Sequence, residues 1–358
     1  LFGPVKAARS DRLVDALDGF DAARSDWSCV WYRAAAARSC RREIVPVTPP
    51  LARLPDAPNK PAPVTPAVPV AGWPTVTAIV PTRDQLAYLQ PCVEGVLART
   101  DYPELELVVV DNASRDPATQ AYLARLAEQP RVRVRRDPRP FNFSRLNNAA
   151  VASSQNEIVV FLNNDIEITD PAWLKSLVAP LTDPSVGVSG KLLLYPDGTI
   201  QHAGVAVGTR DLVSHQGAGR APDDWLDTGP GHGRFEVTAV TAACMAVRRD
   251  LFAEIGGFDP DLAVSYNDVD FCLRLRRQGY RSVCVADTPL VHYESKSRGS
   301  DSSGENRQRA LAERETLVTR WGARVREPDA YAPRGWWCQA ADAPACDDPP
   351  PSPDRPAR

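Results

Sequence analysis

Three short runs of β-branched and aliphatic residues, each ending abruptly in polar or turn-forming residues, constrain this chain more than any other feature. Residues 75–80 (TVTAIV) stop at Pro81, residues 105–110 (LELVVV) stop at Asp111, and residues 158–162 (IVVFL) stop at Asn163, Asn164 and Asp165. Apolar runs of this length without polar alternation suit strands buried on both faces. Between them, Leu86, Leu89, Val93 and Val96 fall at helical spacing within residues 85–98. Further helices are predicted over residues 116–127 and 144–153, with a short strand at 132–134. The alternation predicts an α/β domain, a doubly wound and mainly parallel sheet with flanking helices. Such sheets bind ligands beyond the carboxyl ends of their strands, so the residues that follow each run are the candidates for function.

Proline marks the limits of that domain. Ten of the 34 prolines lie between Pro46 and Pro74, which predicts an extended linker. The expected organisation is a small helical appendage over residues 1–44, a Pro-rich linker over 45–73, the α/β domain over 74–325, and an extension over 326–358 whose Pro-rich end is too polar to order itself. With Leu1 at the start and Met245 as the only methionine, the chain reads as part of a longer polypeptide. Lys and Arg number 42 against 45 Asp and Glu, a formal net charge of −3, which gives no electrostatic case for a nucleic-acid partner. No apolar run approaches the roughly 20 residues of a spanning helix, and the first residues are not a signal peptide. The expectation is a cytoplasmic protein, at most peripheral to the membrane. The eight cysteines are scattered without CxxC pairs, as expected for packed free thiols in a reducing compartment.

After the first strand, Pro81, Thr82, Arg83 and Asp84 stand where a dinucleotide fold would need GxGxxG, which weakens any NAD-binding reading. Asp111 and Asn112, followed by Ala113 and Ser114, offer a carboxylate and an amide to a base or ribose, although an ordinary Asx-turn needs the same residues. Asn163 and Asp165 place an amide oxygen and a carboxylate two residues apart, a pair suited to a hard divalent cation that clamps a diphosphate and equally to a turn. Asp268 reads as the N-cap of a helix, with Asp270 and Arg274 an i,i+4 pair, or as a general base at a cleft mouth. His292 heads a polar loop containing Lys296 and Arg298; imidazole there is a packing residue or a Mn²⁺ ligand. His202 offers a weaker version of the same choice.

Taken in order, VTAIVPTRD, LVVVDNASRD, FNFSRLNNAA, VVFLNNDIEI, GTIQHAGVAVG, VTAACMAVRRDLFAEIGGFD, NDVDFCLRLRRQGYR and HYESKSRG resemble the family 2 glycosyltransferases, inverting enzymes of the GT-A fold. The likeness runs over residues 74–299 and is greatest to bacterial rhamnosyltransferase-like and O-antigen or cell-surface polysaccharide enzymes. It implies a nucleoside-diphosphate sugar donor bound by Pro81, Thr82, Arg83, Asp111, Asn112, Asn164 and Asp165. It also implies Mg²⁺ or Mn²⁺ at Asn163, Asp165 and His292, Asp268 as the catalytic base, and a glycan or lipid-linked glycan as acceptor. This chain departs from the family twice: Asn163 replaces the first carboxylate of the D-x-D motif, and Asn267 replaces the glutamate before the base. An inverting transfer needs one base and one displacement, whereas glycosidases need two opposed carboxylates. Residues 296–303 suggest a lid over the donor. The competing expectations are a binding module of the same fold without turnover, and a sugar nucleotidyltransferase, for which residues 81–86 lack the usual phosphate loop.

Overall fold

The computed structural model describes residues 72–209, 212–293, 304–327 and 329–331. The expected N-terminal appendage, nearly all of the linker, the suggested lid and the C-terminal tail lie outside them. The first half follows the predicted alternation: β1 (Val76–Thr82), α1 (Leu86–Ala98), β2 (Leu105–Asp111), α2 (Pro117–Leu126), β3 (Val132–Arg136), α3 (Phe143–Ala152) and β4 (Ile158–Leu162). Helix α2 starts where its cap chemistry sets it. Asp116 accepts from the Thr119 backbone N–H at 2.9 Å, and Pro117 occupies the first turn, where its missing N–H is not needed.

The second half adds β5 (Ile166–Glu167), α4 (Trp173–Val178), β6 (Val186–Leu194), β7 (Ile200–His202), β8 (Val205–Thr209), β9 (Leu212–His215), α5 (Pro222–Thr228), β10 (Arg234–Val237), β11 (Cys244–Arg248), α6 (Arg249–Glu254), α7 (Asn267–Arg277), β12 (Arg281–His292) and α8 (Gly304–Trp321). The main sheet runs β10-β12-β6-β11-β4-β1-β2-β3, with β5 on β12 and β7 on β6. β4, β1, β2 and β3 are mutually parallel, as are β6 and β12. β11 lies antiparallel between β4 and β6 and joins the two parallel blocks. Both faces of the central strands are covered. Val76, Ala78 and Val80 of β1 enter one buried cluster and Ile79 the other, which is why this strand reads as a continuous apolar run.

Helix α8 and the residues after it pack against α7, β8 and the end of β10. Leu317 is fully buried, and Arg320 and Trp321 donate to Asp270 of α7 at 2.8 and 2.9 Å. Asp329 accepts from the Val207 N–H at 2.8 Å and from the Thr238 hydroxyl at 2.6 Å, holding the chain against β8 and the end of β10. The four described cysteines, Cys92, Cys244, Cys272 and Cys284, are free and buried, matching the expectation for those four.

One cation is sealed inside. Lys191 of β6 has no exposed surface, and its ammonium donates to the Ser176 and Thr288 hydroxyls at 2.8 and 2.7 Å and to the Asp287 carbonyl. It thereby pins the irregular stretch of β12 between Val285 and Leu290. Burial lowers its pKa from 10.5 to about 8. The unfolded chain therefore binds the extra proton between those values, and this group's contribution to stability is present above the upper one and lost as pH falls towards the lower. Between pH 8 and 10.5 the stability of the wild type is expected to rise relative to Lys191→Met by roughly 3 kcal/mol, at ~1.4 kcal/mol per pH unit. Urea melts of the two proteins across that range check it, and a constant difference would mean that the lysine titrates normally. Comparing the two proteins removes the opposing effect of Cys272, whose thiol burial pushes up to about 12.

Candidate active site

Parallel register aligns the carboxyl ends of β1, β2 and β3, pairing Thr82 with Asp111 and Asp111 with Arg136. The loops that follow are tied together by Asp84. Its N–H donates to the Ser114 hydroxyl at 2.8 Å, and its carboxylate accepts the Arg115 and Asp116 N–H groups at 2.6 and 2.8 Å. Pro81 and Thr82 are buried, and Arg83 is exposed. Asp111 makes the Asx-turn that its sequence allows, Oδ1 accepting the Ser114 N–H at 2.8 Å, while Oδ2 lies 4.0 Å from Arg136 Nε. The amide of Asn112 donates to the carbonyls of Asp137 and Arg139, both at 2.8 Å, leaving its buried Oδ1 without a hydrogen bond. Asp111 thus turns the loop, and Asn112 anchors it to the segment after β3.

The end of β4 is linked to this rim and to the far side of the sheet. Asn164 donates to the Thr82 hydroxyl at 3.0 Å. Antiparallel pairing of β5 with β12 matches His292 to Ile166, which carries a histidine from late in the sequence alongside Asp165. Both side chains are buried, and Asp165 Oδ1 lies 3.1 Å from His292 Nε2. His292 Nδ1 lies 2.6 Å from Gln201 Oε1, and Asn163 Nδ2 lies 3.3 Å from Nε2. With Gln201 Oε1 accepting from Nδ1–H the imidazole turns an Nε2 lone pair toward Asp165, and with both nitrogens protonated it makes an ion pair with that carboxylate. Apart from that imidazole nitrogen, the buried Asp165 Oδ1 has no hydrogen-bond donor. A buried carboxylate oxygen beside an imidazole nitrogen is a ligand pair for a cation, so these residues fit a divalent metal.

Asp268 is the second residue of α7. The structure corrects its reading as an N-cap: the cap position is Tyr266, in the left-handed region at φ 64°, and no side chain caps the helix. The Asp268 carboxylate instead accepts the Ala242 N–H at 3.0 Å through Oδ2 and the Val269 N–H at 2.8 Å through Oδ1. Asn267 is turned inward, donating to the Val264 carbonyl at 3.0 Å. On the other side of the same loop, the buried Glu313 of α8 accepts the Val264 and Ser265 N–H groups at 3.1 and 2.7 Å.

Residues 241–243 join these parts. The Thr241 N–H donates to His202 Nε2 at 3.3 Å, the Ala242 N–H donates to Asp268, and the Ala243 carbonyl accepts the Asn163 N–H at 2.9 Å. His202 is fully buried against His215, with their Nδ1 atoms 2.7 Å apart, and burial first and then the neighbouring histidines hold its pKa well below 6.5. It is a support for this segment. Gly204, at φ 96° with Val237 where a Cβ would stand, lets the chain turn from β7 into β8 beside it. Gln201, Glu313 and the 241–243 segment were not visible as site elements in the sequence. The Ile-Gln-His-Ala-Gly stretch was the one signal, and it drew attention to the histidine.

Solved structures share this architecture. GalNAc-T7, solved with UDP, GalNAc and Mn²⁺, aligns with a TM-score of 0.57 at 16% identity, covering 70% of this chain and 48% of that one. A mannosyltransferase from Pyrobaculum calidifontis, PcManGT, solved with GDP-Man and Mn²⁺, aligns at 0.51 with 20% identity over 86% of this chain and 74% of its own. The fold is therefore that of the GT-A glycosyltransferases. The model of glycosyl transferase family 2 matches residues 77–256, and the chain belongs to that family. The match ends short of Asp268 and His292.

Among relatives, the uncharacterized protein y4gI of Sinorhizobium fredii is 41% identical over 74% of this chain. The O-antigen biosynthesis protein RfbC of Myxococcus xanthus is 41% identical over 69% of it. The aligned part is 29% and 20% of those proteins, so the chain spans less than a third of either. The O-antigen chain rhamnosyltransferase RfbN of Salmonella typhimurium is 24% identical over 61% of this chain and 66% of its own length. Among the described residues, no helix is long and apolar enough to cross a membrane.

Proposed function

We propose that this domain transfers a sugar, with inversion, from a nucleoside-diphosphate donor to an acceptor hydroxyl in the assembly of a bacterial cell-surface polysaccharide. The observation that carries the reading is the pair of consecutive residues Ala242 and Ala243, one holding Asp268 and the other holding the backbone of Asn163. A single backbone segment thus holds both Asp268 and the strand end at Asn163, which supports reading the first as a general base and the second as part of a cation site. Asp268 takes the proton of the acceptor hydroxyl as its oxygen bonds to the anomeric carbon, and the bond from that carbon to the diphosphate breaks with its electron pair leaving on the nucleoside diphosphate. Pro81, Thr82, Arg83, Asp111 and Asn112 form the nucleoside side of the site, with Asn164 bracing Thr82. Asp165, His292 and Asn163, the last by turning its amide over, are the residues that would hold Mg²⁺ or Mn²⁺. Such an ion supplies a Lewis acid for the diphosphate.

The relatives' names favour O-antigen-type glycans, with rhamnose among the donor sugars to try first, and a lipid-linked acceptor would place the work at the inner face of the cytoplasmic membrane. Purified protein incubated with a panel of UDP-, dTDP- and GDP-sugars is expected to release one nucleoside diphosphate slowly by hydrolysis, with Mn²⁺ and not without it. Binding of no nucleotide sugar would refute the function. Binding of one with no turnover, even with candidate acceptors, would favour a non-catalytic module, and release of pyrophosphate would indicate a nucleotidyltransferase.

A further inference from the structure

We infer that Gln201 is a positioning residue for His292, fixing the imidazole with its proton on Nδ1 so that Nε2 is aimed as a ligand toward Asp165. The inference rests on the cation reading above and concerns a residue outside the set assigned to the site.

Two independent features support it. The first is the contact: Gln201 Oε1 lies 2.6 Å from His292 Nδ1, and the two side chains are 5% and 6% exposed. Water therefore does not compete at that contact, and an oxygen acceptor held there favours the form with a proton on Nδ1. The second is the backbone. β7 pairs with β6 through Leu193 with His202 and Leu194 with Ile200, so the register slips by one residue at Gln201. Bulges of this kind re-aim a side chain, and they concentrate beside active sites. Here β6 lies between β7 and β12 at the level of Leu193 and Leu194, and the bulged side chain reaches past the end of β6 to His292. In regular pairing Gln201 and His202 would project to opposite faces of the strand. With the bulge, Gln201 serves the cation side of the site through His292, and His202 serves the base side through Thr241.

The test uses the full chain and its four histidines. Long-range ¹H–¹⁵N spectra of the metal-free protein are expected to show His292 protonated on Nδ1 in the wild type and in Gln201→Glu, where a carboxylate still accepts the bond. In Gln201→Leu the signal is expected to move towards the Nε2–H form. Mn²⁺ titrations followed by electron paramagnetic resonance are expected to show affinity weakened by roughly 10- to 100-fold in Gln201→Leu and kept in Gln201→Glu. A Gln201→Leu protein whose His292 stays protonated on Nδ1 would overturn the inference, as would one that binds Mn²⁺ like the wild type. If the spectra change as expected but the wild type itself binds no Mn²⁺, the cation reading fails alone and the hold of Gln201 on His292 stands.

Discussion

Asp268→Asn is expected to lower turnover by roughly 10²- to 10⁴-fold, the range for loss of a general base, while leaving donor binding within a few-fold of the wild type. The substitution keeps size and shape and removes the ability to take a proton. Its structural cost is small and can be derived from the contacts. The carboxylate accepts two backbone N–H groups, from Ala242 and Val269. An asparagine has one oxygen, so one of these donors faces an NH₂ group instead, a loss of about 1 kcal/mol. For a domain of this size that lowers the melting temperature by roughly 2–4 °C. The variant should therefore be folded at assay temperature, and its inactivity should come from chemistry. Steady-state rates, donor affinity and a thermal melt on the same sample make the check. A variant that retains more than a tenth of wild-type turnover would remove Asp268 from the role of base.

The part of the fold that was legible in the sequence is the part whose physics is local. β1, β2 and β4 are buried on both faces and so are spelled as unbroken apolar runs, and α2 announces itself through Asp116 and Pro117. The antiparallel β11 was missed as a strand because CMAVR is short and runs directly into α6, with no turn residues to separate them. The same contrast holds in the site. Asn163 and Asp165 stand at the end of a strand and could be read there. His292 meets Asp165 only through the pairing of β5 with β12, and Gln201 meets His292 only through a bulge. Pairings between segments about 90 to 130 residues apart leave no trace in residue spacing. Asn267 shows the converse. The resemblance placed it where the family has a glutamate, and the structure shows its amide closing the loop to Val264, a task an amide donor performs and a carboxylate cannot.

Asp165→Asn is expected to move stability and activity in opposite directions. In the metal-free protein, Asp165 Oδ1 is buried, has no donor besides the imidazole and faces His292 Nε2 at 3.1 Å. With the imidazole proton on Nδ1, an amide in its place can donate to the Nε2 lone pair, replacing a repulsion by a hydrogen bond. The gain is about 1 kcal/mol, or an increase of roughly 2–4 °C in melting temperature. Mn²⁺ affinity should fall by at least about 100-fold, since the one carboxylate among the three expected ligands is gone, and metal-dependent turnover should fall with it. The sign of the stability change is the informative quantity. A carboxylate kept for structure would be satisfied by a donor, and replacing it would destabilise the fold. A carboxylate kept for a cation is tolerated at a cost in the empty site and repaid on binding, so added Mn²⁺ should raise the melting temperature of the wild type and not that of the variant. If Asp165→Asn instead melts lower than the wild type without metal, Asp165 is part of the packing and the cation must be sought elsewhere.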